Sequence, residues 1–131
     1  MKQLIEEKKL LMEGYTHYWK HGGFDDAVWA NVVKEAKSIV KKAEKDGIAI
    51  AGGNGKGKPE FSKKAIVLNG ADPDDYETFY LSKAPQDFEF TKTAHRPYDA
   101  VVVSILAVAK KANKGFEPSS DGGMSAIKRM Y

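Results

Sequence analysis

An α+β fold is predicted for this chain by three observations. Apolar residues recur at helical spacing before Gly47, alternation takes over between Ile48 and Thr93, and a ten-residue apolar run, Ala100 to Ala109, follows Pro97. The expected architecture is N-terminal helices, an antiparallel sheet of four to five strands and a central buried helix after Pro97. A chain of 131 residues fits one domain, residues 1–131, and a domain of this size buries roughly two thirds of its unfolded surface.

The first expected helix runs from Lys2 to about Lys20, with Leu4, Leu10, Leu11, Tyr15 and Trp19 as its apolar residues. Gly22-Gly23 breaks it. A second helix starts with Asp25 or Asp26 as N-cap and ends at Gly47 as C-cap. Within it Val28, Trp29, Val32, Val33, Ala36, Ile39, Val40 and Ala43 form one stripe. The lysines from Lys34 to Lys45 take the solvent face and crowd the C-terminal turn, where the helix dipole favours cations.

Ile48 to Ala51 reads as a short strand, followed by the glycine-rich connection Gly52 to Pro59. Three more strands are expected: Ala65 to Asn69, Tyr76 to Leu81 and Phe88 to Thr93, joined by turns short enough for an antiparallel meander. On the last, Phe88 and Phe90 are expected to face the core. The Ala100 to Ala109 run permits a strand but favours a helix. Pro97 suits the first helical position, Asp99 the first turn and Lys110, Lys111 and Lys114 the last, with Gly115 as terminator. The tail then reads as an edge strand, Phe116 to Ser119, a turn and a short terminal helix.

Hydrophobic residues at 42 % and charged residues at 30 % describe an ordinary globular protein. The absence of cysteine excludes disulfides, thiolate zinc sites, iron–sulfur clusters and a cysteine nucleophile, and fits a cytoplasmic location. The N-terminus lacks the apolar core of a signal peptide, and no run approaches a membrane span. The net charge of +3 is uneven: residues 92–131 hold seven Lys/Arg against three Asp/Glu. That excess can attract phosphate.

Four constellations carry candidate chemistry. Gly52 to Lys58 contains the G-x-x-x-x-G-K core of a phosphate loop, but Pro59 stands where the magnesium-binding Ser/Thr belongs, so a loop is the better reading. Glu13, His17 and His21 would share one face of a continuous helix, as a divalent metal could use, but no other ligand is near and surface histidines are the better reading. The Asp72, Asp74 and Asp75 cluster lacks a calcium hand's glycine and terminal glutamate. His95, with Ser104, Ser119 or Ser120 and Asp99 or Asp121, supplies residue types for acyl transfer but no G-x-S-x-G elbow. No cofactor or metal is expected.

The segment Lys92-Thr93-Ala94-His95-Arg96-Pro97-Tyr98-Asp99 is the most informative. It gathers cations at a helix N-terminus, where the dipole is already positive and cations cost stability unless an anion offsets them. One reading is an anion cradle: Lys92 and Arg96 hold a phosphate, Thr93 donates to it, Phe79 or Tyr80 stacks on a base, and Asp99 or Asp121 orients Arg96 or binds ribose. The other is an internal pair, with Arg96 bound to Asp99, Glu89 or Asp121 and Asp99 capping its own helix.

The residues Glu77-Thr78-Phe79, Phe88-x-Phe90-x-Lys92-Thr93, Arg96-Pro97-Tyr98-Asp99 and Ser120-Asp121-Gly122 resemble a pattern in small uncharacterised phage and prophage proteins. The resemblance covers roughly residues 65–123. Tyr76 and Thr91 depart from it, standing where many members carry histidine and cysteine. There is also similarity to Thoeris anti-defence proteins, oligomeric sponges that sequester a cyclic ADP-ribose signal. These resemblances imply a homo-oligomeric counter-defence protein of the bacterial cytoplasm that sequesters a small phosphorylated ligand, a nucleotide signal, without being an enzyme. The alternatives are a nucleic-acid-binding module using the basic last third, and an inhibitor that holds a host protein through a surface patch.

Overall fold

The long helix α1, Asp26–Lys45, is built on the stripe that its sequence carries: Trp29, Val32, Ala36, Val40 and Ala43 are buried at three- and four-residue spacing. The computed structural model, which describes residues 15–121, shows how this helix ends. Gly47 takes a left-handed φ of +88°. Its N–H bonds to the Glu44 carbonyl, and the Ile48 N–H reaches back to Ala43. Both bonds of a Schellman motif are therefore present, satisfying carbonyls that the helix leaves open.

The second helix, α2, spans Asp99–Ala112 and buries Val101, Val102, Val103, Ile105, Leu106, Ala107, Val108 and Ala109. Its apolar character on nearly every side reflects its central place, between α1 and the sheets. It starts two residues later than the proline suggests. Pro97 precedes the N-cap Tyr98, and Asp99 and the pair Lys110, Lys111 occupy the first and last turns as the dipole favours.

Seven strands form two antiparallel sheets, so the α+β architecture holds with its strands divided. They are β1 (Thr16–His21), β2 (Ile50–Ala51), β3 (Glu60–Phe61), β4 (Ala65–Gly70), β5 (Phe79–Ser82), β6 (Gln86–Lys92) and β7 (Glu117–Ser120). In the first sheet β1 lies between β6 and β7, with His17 opposite both Thr91 and Ser120. In the second, β4 pairs antiparallel with β2, β3 and β5. Side chains join the sheets: the Thr91 hydroxyl donates to the Thr78 carbonyl, and Gln86 Nε2 to that of Tyr80.

The first sequence-predicted helix is overturned where it can be seen. Thr16–His21 is a strand with His17, Trp19 and His21 buried on one face and Lys20 exposed on the other. Threonine, tyrosine and tryptophan suit a pleated surface, and two flanking strands supply a ladder that a helix here would forgo. The rest of that predicted helix and the terminal one lie outside the described residues. Phe88 and Phe90 are also corrected: they are 63 % and 52 % exposed, because β6 turns Thr91 and Gln86 inward to hydrogen-bond in the interior. The glycine-rich stretch is a loop leading into β3, with no helix to complete a phosphate site.

Candidate functional site

The loop between β6 and α2 is tightly prescribed. Thr93 N–H and Ala94 N–H both point at the Tyr15 carbonyl, and the Arg96 N–H returns to Thr93. Between them Ala94 and His95 adopt left-handed φ values of 50° and 57°. Two consecutive non-glycine residues in that region cost about 1–3 kcal/mol each and persist only where neighbours hold them. Two anchors do so. The His95 ring stacks on Tyr15 at 3.8 Å between centroids, and Tyr98, fully buried, donates its hydroxyl to the Glu77 carbonyl at 2.7 Å. Burial first, then the nearby carboxylates of Glu77 and Asp99, pushes the Tyr98 phenol well above its ordinary range.

Asp99 is the polar centre of the loop. Its Oδ1 accepts from His17 Nε2 at 2.6 Å and from the Thr93 hydroxyl at 2.5 Å. Burial acts most strongly on its carboxyl and pushes the pKa up, but the hydrogen bonds from His17 and Thr93 and the electrostatic attraction of the His17 and His95 rings together outweigh it, leaving the pKa below the usual value. His17 is 0 % exposed, and its other nitrogen, Nδ1, lies 2.6 Å from the Ser120 hydroxyl. Four side chains from β1, β7, α2 and the loop thus form one chain of hydrogen bonds. Asp99 and Ser120, from the start of α2 and the end of β7, meet on His17.

Arg96 follows a different path. Its guanidinium lies over the Tyr76 ring, 5.8 Å from the centroid. Among the described residues it makes no ion pair, and its buried Nε has no hydrogen-bond partner. The carboxylates expected to pair with it are engaged elsewhere or turned away: Asp99 as above, Asp121 with the Thr16 N–H and the Tyr18 hydroxyl, and Glu89 on the opposite face of β6 from Lys92. The Lys92 backbone is tied to Glu77, the residue after Tyr76: its N–H donates to the Glu77 carboxylate, and its carbonyl accepts the Glu77 N–H.

The remaining sequence-predicted site residues divide. Tyr80 is exposed and free to meet a planar ligand, whereas Phe79 is fully buried against Trp19 at 5.3 Å and has no face to offer a base. Thr93 is buried and spends its hydroxyl on Asp99 rather than on an outside anion. Phe88 and Phe90 instead make an outward cluster with Tyr18, at centroid distances of 5.9 and 6.5 Å. Every large hydrophobic residue that is exposed among the described residues, Tyr76, Tyr80, Phe88 and Phe90, belongs to β5, β6 or the turn before β5.

The histidine pattern is corrected as well. His17 and His21 are buried on a strand, and Glu13 lies outside the described residues. His21 Nδ1 accepts the Gly23 N–H at 2.9 Å while Nε2 faces Gln86 Oε1 at 3.0 Å, so both nitrogens are occupied. Among the described residues no group of three or more His, Cys, Asp or Glu could hold a metal ion, and no helix is long and apolar enough to cross a membrane. Sequence reasoning set His17 in a possible metal trio and missed its role with Asp99 and Ser120, which are 82 and 103 residues away. No family model, curated protein or solved structure matches the chain.

Proposed function

We propose that this protein binds and sequesters a small phosphorylated ligand with an aromatic base, a nucleotide, on the outward side of β5 and β6, in the manner of a phage counter-defence factor. The observation that carries the reading is Arg96: a guanidinium with no ion-pair partner among the described residues, laid over Tyr76, whose neighbour Glu77 is bonded to the Lys92 backbone. A planar fork of donors in that state is suited to the oxygens of a phosphate. Exposed rings stand within a nucleotide's reach. Phe90 and Lys92 are two residues apart on one face of β6, which is about 7 Å along a strand. A base can stack on a ring while its phosphate meets the cations. Sequestration asks only for preorganised contacts.

A single phosphorylated molecule suits this surface better than a nucleic-acid strand. Lys20 on the same face is paired with Glu117 at 3.2 Å, and Asp121 caps the Tyr18 hydroxyl. Carboxylates interleaved with the rings repel a long polyanion.

Native mass spectrometry with a panel of linear and cyclic nucleotides tests the proposal and reports the oligomeric state. The expected result is a stoichiometric adduct that disappears in a folded Arg96→Ala variant. No adduct with any nucleotide, or an adduct unchanged in Arg96→Ala, overturns it; salt-sensitive binding to oligonucleotides or a co-purifying host protein would favour the corresponding alternative.

A further inference from the structure

We propose that Ser120, His17 and Asp99 form a nucleophile–base–carboxylate relay that makes Ser120 reactive towards carboxylic esters. The proposal rests on connectivity. Ser120 Oγ lies 2.6 Å from His17 Nδ1, and His17 Nε2 lies 2.6 Å from Asp99 Oδ1. An ionised Asp99 can only accept, so Nε2 carries a proton and donates it. In the neutral imidazole Nδ1 then has a free lone pair, and the Ser120 hydroxyl donates to it. Those are the roles of an activated serine, its general base and the group that fixes the base's tautomer. The imidazole nitrogens are used in the reverse order from the familiar hydrolases. The relay is recognised by roles and geometry, and either nitrogen can take the proton.

The supporting parts are unusually complete for residues so far apart in sequence. Thr93 gives Asp99 a second hydrogen bond at 2.5 Å, which holds the carboxylate while it orients His17. His17 is wedged between Tyr15, edge-on at 4.9 Å, and its two polar partners. The Asp99 side chain is 20 % exposed, and Ser120 is buried, with 9 % of its surface left open. Ser120 is also the last residue of β7, an edge strand paired with β1 alone among the described residues.

The reaction balances without any further reagent than water. Ser120 Oγ forms a bond to the ester carbonyl carbon as its proton passes to His17 Nδ1. The tetrahedral species expels the alcohol by cleavage of the ester C–O bond, and His17 returns the proton to that oxygen. Water then attacks the acyl-serine, gives a proton to Nδ1, and releases the carboxylic acid with Ser120 restored. This chemistry lies on the inward side of the first sheet, opposite Lys92 and Phe90, so it does not depend on the nucleotide reading.

The first test labels wild-type protein with a fluorophosphonate, which the same hydroxyl attacks with loss of fluoride, and maps the adduct by peptide mass spectrometry. A single adduct on Ser120 is expected, with Ser119 and Ser104 unlabelled. Labelling should vanish in Ser120→Ala, stay unchanged in Ser119→Ala, and slow by about a hundredfold or more in His17→Gln or Asp99→Asn, as loss of a general base requires. Wild-type labelling should also rise with pH, as attack assisted by an imidazole base requires, a dependence that a merely structural histidine would not produce. Folded protein that gives no Ser120 adduct, or labels with a flat pH profile, overturns the relay whatever the variants do. Nucleotide binding would be unaffected by that outcome, and its own failure would leave the labelling result standing.

Discussion

His17 on β1 and Asp99 at the start of α2 share a 2.6 Å hydrogen bond across 82 residues of sequence. The bond ties the central strand of one sheet to the central helix. Because His17 is fully buried and Asp99 mostly so, removing one partner leaves the other with an unmet polar group in a poorly hydrated place. Asp99→Ala should therefore lower unfolding free energy by about 3 kcal/mol. A double-mutant cycle with His17→Ala should return a coupling of about 1–3 kcal/mol. Additive losses in urea denaturation would mean that the two side chains do not act on each other.

Gln86 is the second polar node of the interior. Its Oε1 accepts from Trp19 Nε1, His21 Nε2 and the Ser82 N–H at 3.0, 3.0 and 3.1 Å. A leucine of similar size fills the space but strands three donors at once. At about 1–3 kcal/mol for each buried group left unmet, Gln86→Leu should cost at least about 3 kcal/mol. Chemical denaturation checks this, and a loss below about 1 kcal/mol would show that water replaces the amide.

Acid should destabilise the protein in two stages, for reasons that follow from the same nodes. Burial lowers the His21 pKa from 6.5, and the bond to Gln86 only partly offsets it. A depressed histidine pKa means that the unfolded chain takes up the proton first. The stability it contributes is present above pH 6.5 and is lost as pH falls from there towards the folded pKa. Asp99, also lowered from its ordinary 3.8, contributes stability that is present above that value and lost as pH falls through the folded pKa. Urea midpoints measured from pH 8 to pH 3 should thus decline first near 6.5. His21→Gln should flatten that first decline and leave the lower one; an unchanged profile in the variant would assign the slope to another group.

Much of the fold was legible because its signals are local. The α1 stripe, the Gly47 terminator and the apolar run of α2 each declare themselves within a few turns. The failure at β1 has a definite cause. A spacing of four, as between His17 and His21, fits one face of a helix and, being even, one face of a strand equally well. Trp19, two residues from each and buried with them, is the residue that decides for the strand. Alternation in Phe88 to Thr93 gave the face partners but not which face meets the core; that was set by the hydrogen bonds of Thr91 and Gln86 to β5. Lys92 and Arg96 could be singled out from charge at a helix start. His17 was singled out only as a possible metal ligand, because its actual role is defined wholly by residues distant in sequence.

Gly70 is the last residue of β4, where the second sheet gives way to the turn that carries Tyr76. A Cβ added there would stand 2.5 Å from the Asp74 carbonyl oxygen and 3.0 Å from Tyr98 Cδ1. Backbone cannot move as cheaply as a side-chain tip, so Gly70→Ala should cost about 1–3 kcal/mol. It should also displace Tyr98 from the Glu77 carbonyl. Near-ultraviolet circular dichroism would register the altered tyrosine, and a variant matching the parent in both signal and stability would show that the turn relaxes freely.

Arg96 should behave in the opposite way from the residues around it. Its guanidinium has the Tyr76 ring beneath it but no ion pair among the described residues, so truncation removes a cation–π contact of about 0.5–1 kcal/mol and no paired charge. Arg96→Ala should shift the urea midpoint by no more than that contact implies, while Asp99→Ala, three residues on, shifts it several times as far. If Arg96→Ala instead unfolds the protein, the guanidinium is an internal brace, and the case for a phosphate on it fails.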